Sequence, residues 1–137
     1  TIPGYDDRFS RSARSAATLD GNNDGKPDLV VQMWNDQARY FENELPNGRH
    51  WLGLRLQGST VNRDAVGAKV FVSWNGMTQV QIVRNACGYL AQSAPRLIFG
   101  LGVADKVDKL EVVWPGGKRQ PVKEFKLDAY NLLVEAE

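Results

Sequence analysis

Histidine and cysteine are almost missing from the sequence, and their scarcity excludes several kinds of chemistry. The 137 residues contain one histidine, His50, and one cysteine, Cys87. A zinc site of histidine and cysteine ligands needs three or four such residues, a c-type haem needs a Cys-x-x-Cys-His run, and a disulfide needs a second cysteine. None of these can form within this chain. We expect Cys87 to be a small packed side chain and His50 to be structural or exposed.

The sequence also lacks an excess of one charge and long apolar runs. Seventeen basic residues against sixteen acidic ones give a net charge of +1, so the basic excess of a nucleic-acid-binding surface is missing. No apolar run approaches the roughly 20 residues of a membrane-spanning helix. The 42% of hydrophobic and 24% of charged residues are typical of a folded globular protein. We therefore expect neither a nucleic-acid partner nor a membrane span.

From Asp28 onward, apolar residues alternate with a period of two, which is the pattern of half-buried β-strands. Four alternating rows are expected to face inward: Leu52, Leu54 and Leu56; Ala68, Val70, Val72 and Trp74; Leu110, Val112 and Trp114; and Leu132, Val134 and Ala136. Asn75-Gly76 predicts a type I′ turn inside a hairpin over residues 67–86, and Pro115-Gly116-Gly117 predicts a second reversal.

These signals predict a chain of short strands without an amphipathic helix of three turns. The candidate strands are residues 28–34, 37–43, 50–58, 67–75, 78–85, 96–101, 107–114, 119–125 and 131–136. Many short strands between turn signals favour an all-β fold, either an antiparallel β-sandwich or a barrel-like domain.

A segment rich in proline, glycine and asparagine, Leu45 to Arg49, divides the chain. It separates an aspartate-rich front, residues 1–45, from the strand-dense residues 46–137. In the front, the three-residue spacing of Arg8, Arg11 and Arg14 could form a basic helical stripe. The short, Ser/Ala-rich context favours a solvated arm or an irregular strand instead.

One segment of the front has the spacing of a cation-binding loop. Asp20, Asn22, Asp24 and Asp28 take positions 1, 3, 5 and 9, and the carbonyl of Lys26 falls at position 7. The glycine at position 6 permits the bend that folds these oxygens inward. A flexible loop with three carboxylates favours Ca²⁺ over Mg²⁺, which demands a tighter octahedron. The spacing therefore predicts a calcium site made of these five residues.

This loop differs from an EF-hand, because position 12 is Val31, inside an apolar run, where a bidentate glutamate would be required. The loop is therefore expected to lead into a strand. The alternative is an Asx-rich turn without metal, but three carboxylates within nine residues repel one another unless a counter-ion is present. We expect a structural role for the metal, because the neighbouring sequence supplies neither a nucleophile nor a poised general base.

The four tryptophans leave a second kind of function open. Trp74 and Trp114 share the inward phase of their strands, so we expect both in the core. Trp34 and Trp51 could form a sugar-binding platform together with the polar loops Asn62-Arg63-Asp64 or Gln92-Ser93.

An enzyme is a third possibility. Its acid/base pair would have to be His50 with Asp64 or Cys87, and the sequence gives no sign that these residues meet.

The motifs occur in an order that resembles two known families in tandem. Leu19 to Asn43 resembles a single FG-GAP/VCBS-type repeat, the calcium-loop unit that builds β-propellers. From His50 onward, the chain resembles the ASPIC/UnbV domain of the cartilage acidic protein-like family, through HWLGLRLQG, VNRDAVGAKVFV, GYLAQS, FGLG and VVWPGGKRQ. The resemblance implies an exported, all-β, non-catalytic module. It also assigns the metal to the same five loop residues.

A single repeat cannot close a propeller, and it would leave unpaired strand edges. We therefore expect the front either to pack across the C-terminal domain or to be completed by another polypeptide. The leading expectation is a calcium-stabilised module that binds a protein partner or a larger assembly outside the cell, at the cell surface or in the periplasm. Carbohydrate binding is the alternative.

Overall fold

The computed structural model describes residues 12–46, 48–86 and 88–136. Within these ranges it contains strands and no helix, so no helix there could cross a bilayer. The strands are β1 (Ala13–Leu19), β2 (Asp28–Met33), β3 (Arg39–Phe41), β4 (His50–Gln57), β5 (Lys69–Trp74), β6 (Met77–Ile82), β7 (Leu97–Gly102), β8 (Lys109–Val113), β9 (Arg119–Val122) and β10 (Tyr130–Val134). The all-β prediction is confirmed, and all nine candidate strands are present.

Two sheets pack on each other as a sandwich around one apolar core. One sheet has the order β10-β4-β7 and the other the order β6-β5-β8-β9. The inward rows that begin at Leu52, Ala68 and Leu110 are buried as predicted, and they meet Phe99 of β7 in this core. The sheets are open at their edges, so the structure is a sandwich and not the barrel-like alternative.

The fourth predicted inward row is wrong, because β10 has the opposite phase. Leu132 and Val134 are 58% and 44% exposed, whereas Leu133 and Glu135 are buried. Three consecutive apolar residues offer two possible phases, and a shift of one residue exchanges the two faces of a strand. The choice comes from pairing: β10 lies parallel to β4, an exception to the antiparallel prediction.

Both predicted reversals are present. Asn75 and Gly76 have φ angles of 46° and 73°, as a type I′ turn requires, and they join β5 to β6. Gly116 and Gly117 have φ angles of 94° and 95° between β8 and β9. These turns fix the register of the four-stranded sheet.

The front of the molecule is a third sheet with the order β1-β2-β3. Strand β1 was not among the candidates, because its small and polar residues, ARSAATL, carry no alternating apolar row. Arg14 lies on this strand, so the helical stripe is wrong at that position. Arg8 and Arg11 lie outside the described residues, as does Cys87.

The front sheet contacts the sandwich at the end of β1. Ala94 donates its N–H to the Thr18 carbonyl at 2.9 Å, and Thr18 donates its N–H to the Ser93 hydroxyl at 3.1 Å. The front therefore packs on the C-terminal sheets, which is the first of the two arrangements expected from the sequence. The predicted domain boundary at residues 45–46 lies in the coil between β3 and β4 and stays a prediction.

Candidate metal centre

The acidic loop joins β1 to β2. These strands are antiparallel, and Leu19 pairs with Asp28, so the two ends of the loop meet at its base. Asn23 and Gly25 have φ angles of 59° and 81°, in the left-handed region. Glycine adopts this conformation without steric cost, and the bend predicted at Gly25 is confirmed.

Asp20, the first residue of the loop, is buried with 3% of its surface exposed. One carboxylate oxygen accepts the N–H of Asp24 at 3.1 Å, and the other accepts the N–H of Gly25 at 2.9 Å. The Tyr130 hydroxyl also donates to Asp20, at 2.6 Å. This carboxylate therefore shapes the loop and at the same time ties it to β10.

Asp28, at the other end of the loop, is also buried. It accepts hydrogen bonds from the Tyr40 hydroxyl at 2.5 Å and from the N–H groups of Gly21 and Asn43 at 2.9 Å and 2.8 Å. The bond from Tyr40 contributes most to holding the pKa of Asp28 below its ordinary value, and the two N–H groups add to the effect. The same bond raises the pKa of Tyr40 to about 12.

The middle of the loop is more exposed than its two ends, and it contains the positively charged Lys26. The Lys26 ammonium lies 3.0 Å from Asp24, which also accepts the Lys26 N–H at 2.9 Å. Partial burial raises the pKa of Asp24, but the hydrogen bonds from Lys26 and Asn22 outweigh it and leave the pKa lowered. The Asn22 amide oxygen accepts the N–H of Asp24 at 3.1 Å, and its nitrogen donates to Glu42 at 3.0 Å.

The structure thus brings the five predicted residues together in one loop. Their side chains supply three carboxylates and one amide, and the Oδ2 atom of each carboxylate already has two polar partners within the protein. Hard oxygen donors of this kind suit Ca²⁺. In the described parts of the chain, no group of three or more His, Cys, Asp or Glu side chains is arranged to hold a metal ion. The three loop carboxylates do not form such a group, so the calcium site stays a prediction.

Three residues of the sandwich hold the loop in place. The Trp51 indole lies against Gly25 so closely that a Cβ at residue 25 would overlap the ring. Trp51 contacts the edge of Tyr130, with ring centroids 5.2 Å apart. Arg96 donates to the Asn23 side chain at 2.5 Å and lies over the Tyr130 ring at 4.7 Å. These contacts leave no signal in the sequence, because 73 to 110 residues separate the hydrogen-bonded partners and no local pattern links them.

The four tryptophans have different environments. Two lie in the core as predicted, one packs on the loop, and one is exposed. Trp74 and Trp114 are buried in the core, which confirms the prediction. Trp51 packs on the loop. Trp34 is 63% exposed, and the guanidinium of Arg14 lies 4.2 Å from the centre of its ring.

His50 lies beside Asp128, a residue that the sequence did not suggest as its partner, and Cys87, one of the two suggested partners, lies outside the described residues. Its Nδ1 lies 2.7 Å from one Asp128 oxygen, while the other oxygen accepts the N–H of Trp51 at 3.0 Å. The bond with His50 contributes most to lowering the pKa of Asp128. This pair clasps the start of β4 to the residues before β10.

Comparison with known proteins assigns the sandwich to a family. The family model described as ASPIC and UnbV matches residues 58–137. A curated relative, cartilage acidic protein 1 of Xenopus tropicalis, is 30% identical over 106 residues. The match covers 74% of this chain but only 16% of the relative. Since the family model matches more than half of the chain, this protein belongs to the ASPIC and UnbV family.

Proposed function

We propose that this chain is a calcium-stabilised extracellular protein-interaction module without catalysis. In this proposal, Leu19 to Asn43 is a single FG-GAP/VCBS-type repeat, and its calcium loop fastens the front sheet to the ASPIC/UnbV sandwich. The observation that carries the proposal is the position of Asp20. This buried carboxylate bonds the loop backbone on one side and Tyr130 of β10 on the other.

The charge balance of the loop supports a bound cation. Asp20, Asp24 and Asp28 bring three negative charges, against one positive charge from Lys26, and two of the carboxylates are buried. Burying like charges is unfavourable unless an opposite charge compensates them. Hydrogen bonds from two tyrosine hydroxyls and from backbone N–H groups already supply part of that compensation, and calcium held by Asp20, Asn22, Asp24, Asp28 and the Lys26 carbonyl would add to it.

The contacts of the one histidine support a non-catalytic role. The His50–Asp128 pair is built into a backbone clasp, in which Asp128 also donates its N–H to the Trp51 carbonyl at 2.8 Å. The extracellular, cell-surface or periplasmic location is proposed from the family resemblance and from the relative's name, which refers to cartilage.

Thermal unfolding with Ca²⁺ and with a chelator tests the metal. A ligand that binds only the folded state, at a hundred times its dissociation constant, stabilises that state by about 2.7 kcal/mol. We expect calcium to raise the melting temperature of the native chain and to lose this effect in Asp24→Asn, a change at a partly exposed ligand. Asp105→Asn, at an exposed carboxylate outside the loop, is the matched control and should keep the effect. Equal melting temperatures with calcium and chelator would contradict the proposal.

Carbohydrate binding remains a second candidate because Trp34 is largely exposed. An exposed indole can stack on a sugar ring, although Arg14 already lies over this one. Glycan-array binding that is lost in Trp34→Ala would favour this candidate. Binding that is unchanged in this variant would place any glycan site elsewhere.

A further inference from the structure

We infer that the free edge of β6 takes up an extended, acidic peptide strand of a partner protein. The inference rests on the proposed role as an interaction module, because it names the chemistry of the partner. Three features of the same region support it: unpaired backbone groups, an unprotected apolar edge, and a groove that carries positive charge.

The unpaired backbone groups follow from the register of the hairpin. Strand β6 is an edge strand whose hydrogen-bonded neighbour is β5. Val83, just after β6, donates its N–H to Ala68, so alternate residues back along β6 face β5. The N–H and C=O groups of Thr78, Val80 and Ile82 therefore point away from the sheet. No backbone hydrogen bond found among the described residues engages them.

The two edges of this sheet are built differently. Strand β9, at the far edge, contains Arg119 and Pro121, which are residues that protect an edge from further pairing. Strand β6 has the sequence MTQVQI, without charge or proline. Its Val80 and Ile82 side chains are 46% and 37% exposed. An edge of this composition is open to β-augmentation by another strand.

A groove of about 730 Å³ lies along this edge. Its apolar lining residues are Ala16 and Ala17 of β1, Val80 and Ile82 of β6, and Leu29 and Leu97. The volume falls within the roughly 300–1,000 Å³ of pockets that enclose ligands. A short strand can therefore lie beside β6 with its apolar side chains in the groove.

The positive charge of the groove favours an acidic partner strand. Of the described residues that line it, Arg84 and Arg96 carry positive charge and none is an aspartate or a glutamate. Arg96 is already engaged with Asn23 and Tyr130. Arg84 is exposed and forms no ion pair with any described residue. A carboxylate on the incoming strand would give Arg84 a bidentate partner.

Fluorescence polarisation with designed peptides tests the inference on the full chain. The probe is a labelled seven-residue peptide of alternating valine and polar residues with two glutamates, and its matched control carries two lysines instead. We expect the glutamate peptide to bind at least tenfold more tightly than the lysine peptide. Arg84→Glu should reverse this preference. Arg55→Glu, at an exposed arginine of β4 that does not line the groove, should leave it unchanged.

A second variant tests the backbone contacts. Val80→Pro removes an outward N–H and leaves the β5 ladder intact, as edge strands tolerate. It should abolish binding of the glutamate peptide while circular dichroism remains that of the native chain. If the proline variant unfolds, Val80→Gln replaces it, because this change removes an apolar side chain from the groove without adding charge, and it should weaken binding at least tenfold.

Several outcomes would overturn the inference. These are equal binding of both peptides, no binding of either, or unchanged binding in both Val80 variants. Concentration-dependent self-association that Val80→Pro removes, without peptide binding, would assign the edge to a second copy of this chain. Each titration is repeated with chelator. Calcium stabilisation without peptide binding refutes this inference alone, whereas peptide binding without calcium stabilisation refutes the metal part of the proposed function alone.

Discussion

The front sheet and the sandwich are stabilised by different forces. Every residue of the apolar core cluster lies between Leu52 and Leu133, in the sandwich. Within the described part of the front sheet and its loop, Met33 is the one buried hydrophobic residue, and the other two buried residues are Asp20 and Asp28. The sandwich is therefore stabilised by apolar burial, while the front depends on directed polar contacts.

This difference explains why a metal would matter to one region and not to the other. Apolar burial scales with area and is insensitive to ionisation. Buried carboxylates need their partners at the right distance and in the right charge state. A small sheet also has little independent stability, so the front depends on its contacts with the sandwich. The two regions should respond differently to truncation, backbone strain and pH.

Removing a core tryptophan should have the largest effect. Trp114 is 1% exposed, and its indole nitrogen donates to Gln120 at 2.8 Å. Trp114→Ala should lower the free energy of unfolding by about 3–5 kcal/mol, measured by urea denaturation. Trp34→Ala, the matched change in the front, should cost less than about 1 kcal/mol because its ring is exposed. Similar losses at the two positions would refute the contrast.

Backbone strain at Gly25, where the loop lies against Trp51, should have the second largest effect on stability. Gly25→Ala places a side chain at φ 81° and against the Trp51 ring, with an expected cost of about 1–3 kcal/mol. Gly116→Ala is the control: its φ of 94° is similarly strained, but no atom lies within 4 Å of the added Cβ. Gly25→Ala should therefore be the more destabilising and should also weaken the proposed calcium binding, measured by calorimetry. Equal effects would show that Trp51 does not brace the loop.

The buried carboxylate of the sandwich, Glu135, should make the free energy of unfolding depend on pH. Glu135 accepts bonds from the Thr60 hydroxyl and from the N–H groups of Ser59, Thr60 and Val61, and its pKa is lowered to about 2. Its stabilising contribution is thus complete above the unfolded pKa of about 4.5 and is lost as the pH falls towards 2.

In Glu135→Gln, the difference in unfolding free energy between pH 7 and pH 3 should be smaller than in the native chain. Urea denaturation at both pH values, with and without calcium, measures it. The same pH dependence in both proteins would mean that Glu135 does not contribute to acid sensitivity.

Removing the Tyr130 hydroxyl, which bonds β10 to the loop, should have the smallest effect on stability. Tyr130→Phe keeps the ring against Trp51 and Arg96 but loses the bond to Asp20, at a cost of about 1 kcal/mol. The proposed calcium affinity should fall with it, because Asp20 loses a contact that holds it in place, whereas Leu132→Ala, an exposed change on the same strand, should leave the affinity unaltered. Calorimetric titration of both variants would decide whether β10 is coupled to the loop.

Much of the fold was predictable because its signals are local. The alternation of Leu52, Leu54 and Leu56 identified a strand and its buried face. Asn75-Gly76 identified a turn, because few residue pairs tolerate two positive φ angles. Strand β1 had no such signal: its small, polar residues form a strand through pairing with β2.

The loop of the candidate site was predictable from the sequence, and its surroundings were not. The spacing from Asp20 to Asp28 predicted a loop with a bend at Gly25, which the structure contains, while metal binding by its oxygens stays a prediction. The aromatic side chains around them, Tyr40, Trp51 and Tyr130, come from three different strands or strand ends. No pattern along the chain marks such an arrangement, because it arises only when distant strands pack.

By itself, the sequence determined the strand periodicity, the turns, the spacing of the loop oxygens and the family resemblance, since each depends on residues close together along the chain. Only the tertiary structure decided that β10 pairs parallel to β4, that Leu133 and Glu135 face inward, and that Tyr130 reaches Asp20. These features depend on contacts between residues far apart in the chain, and such contacts form only when the sheets pack together.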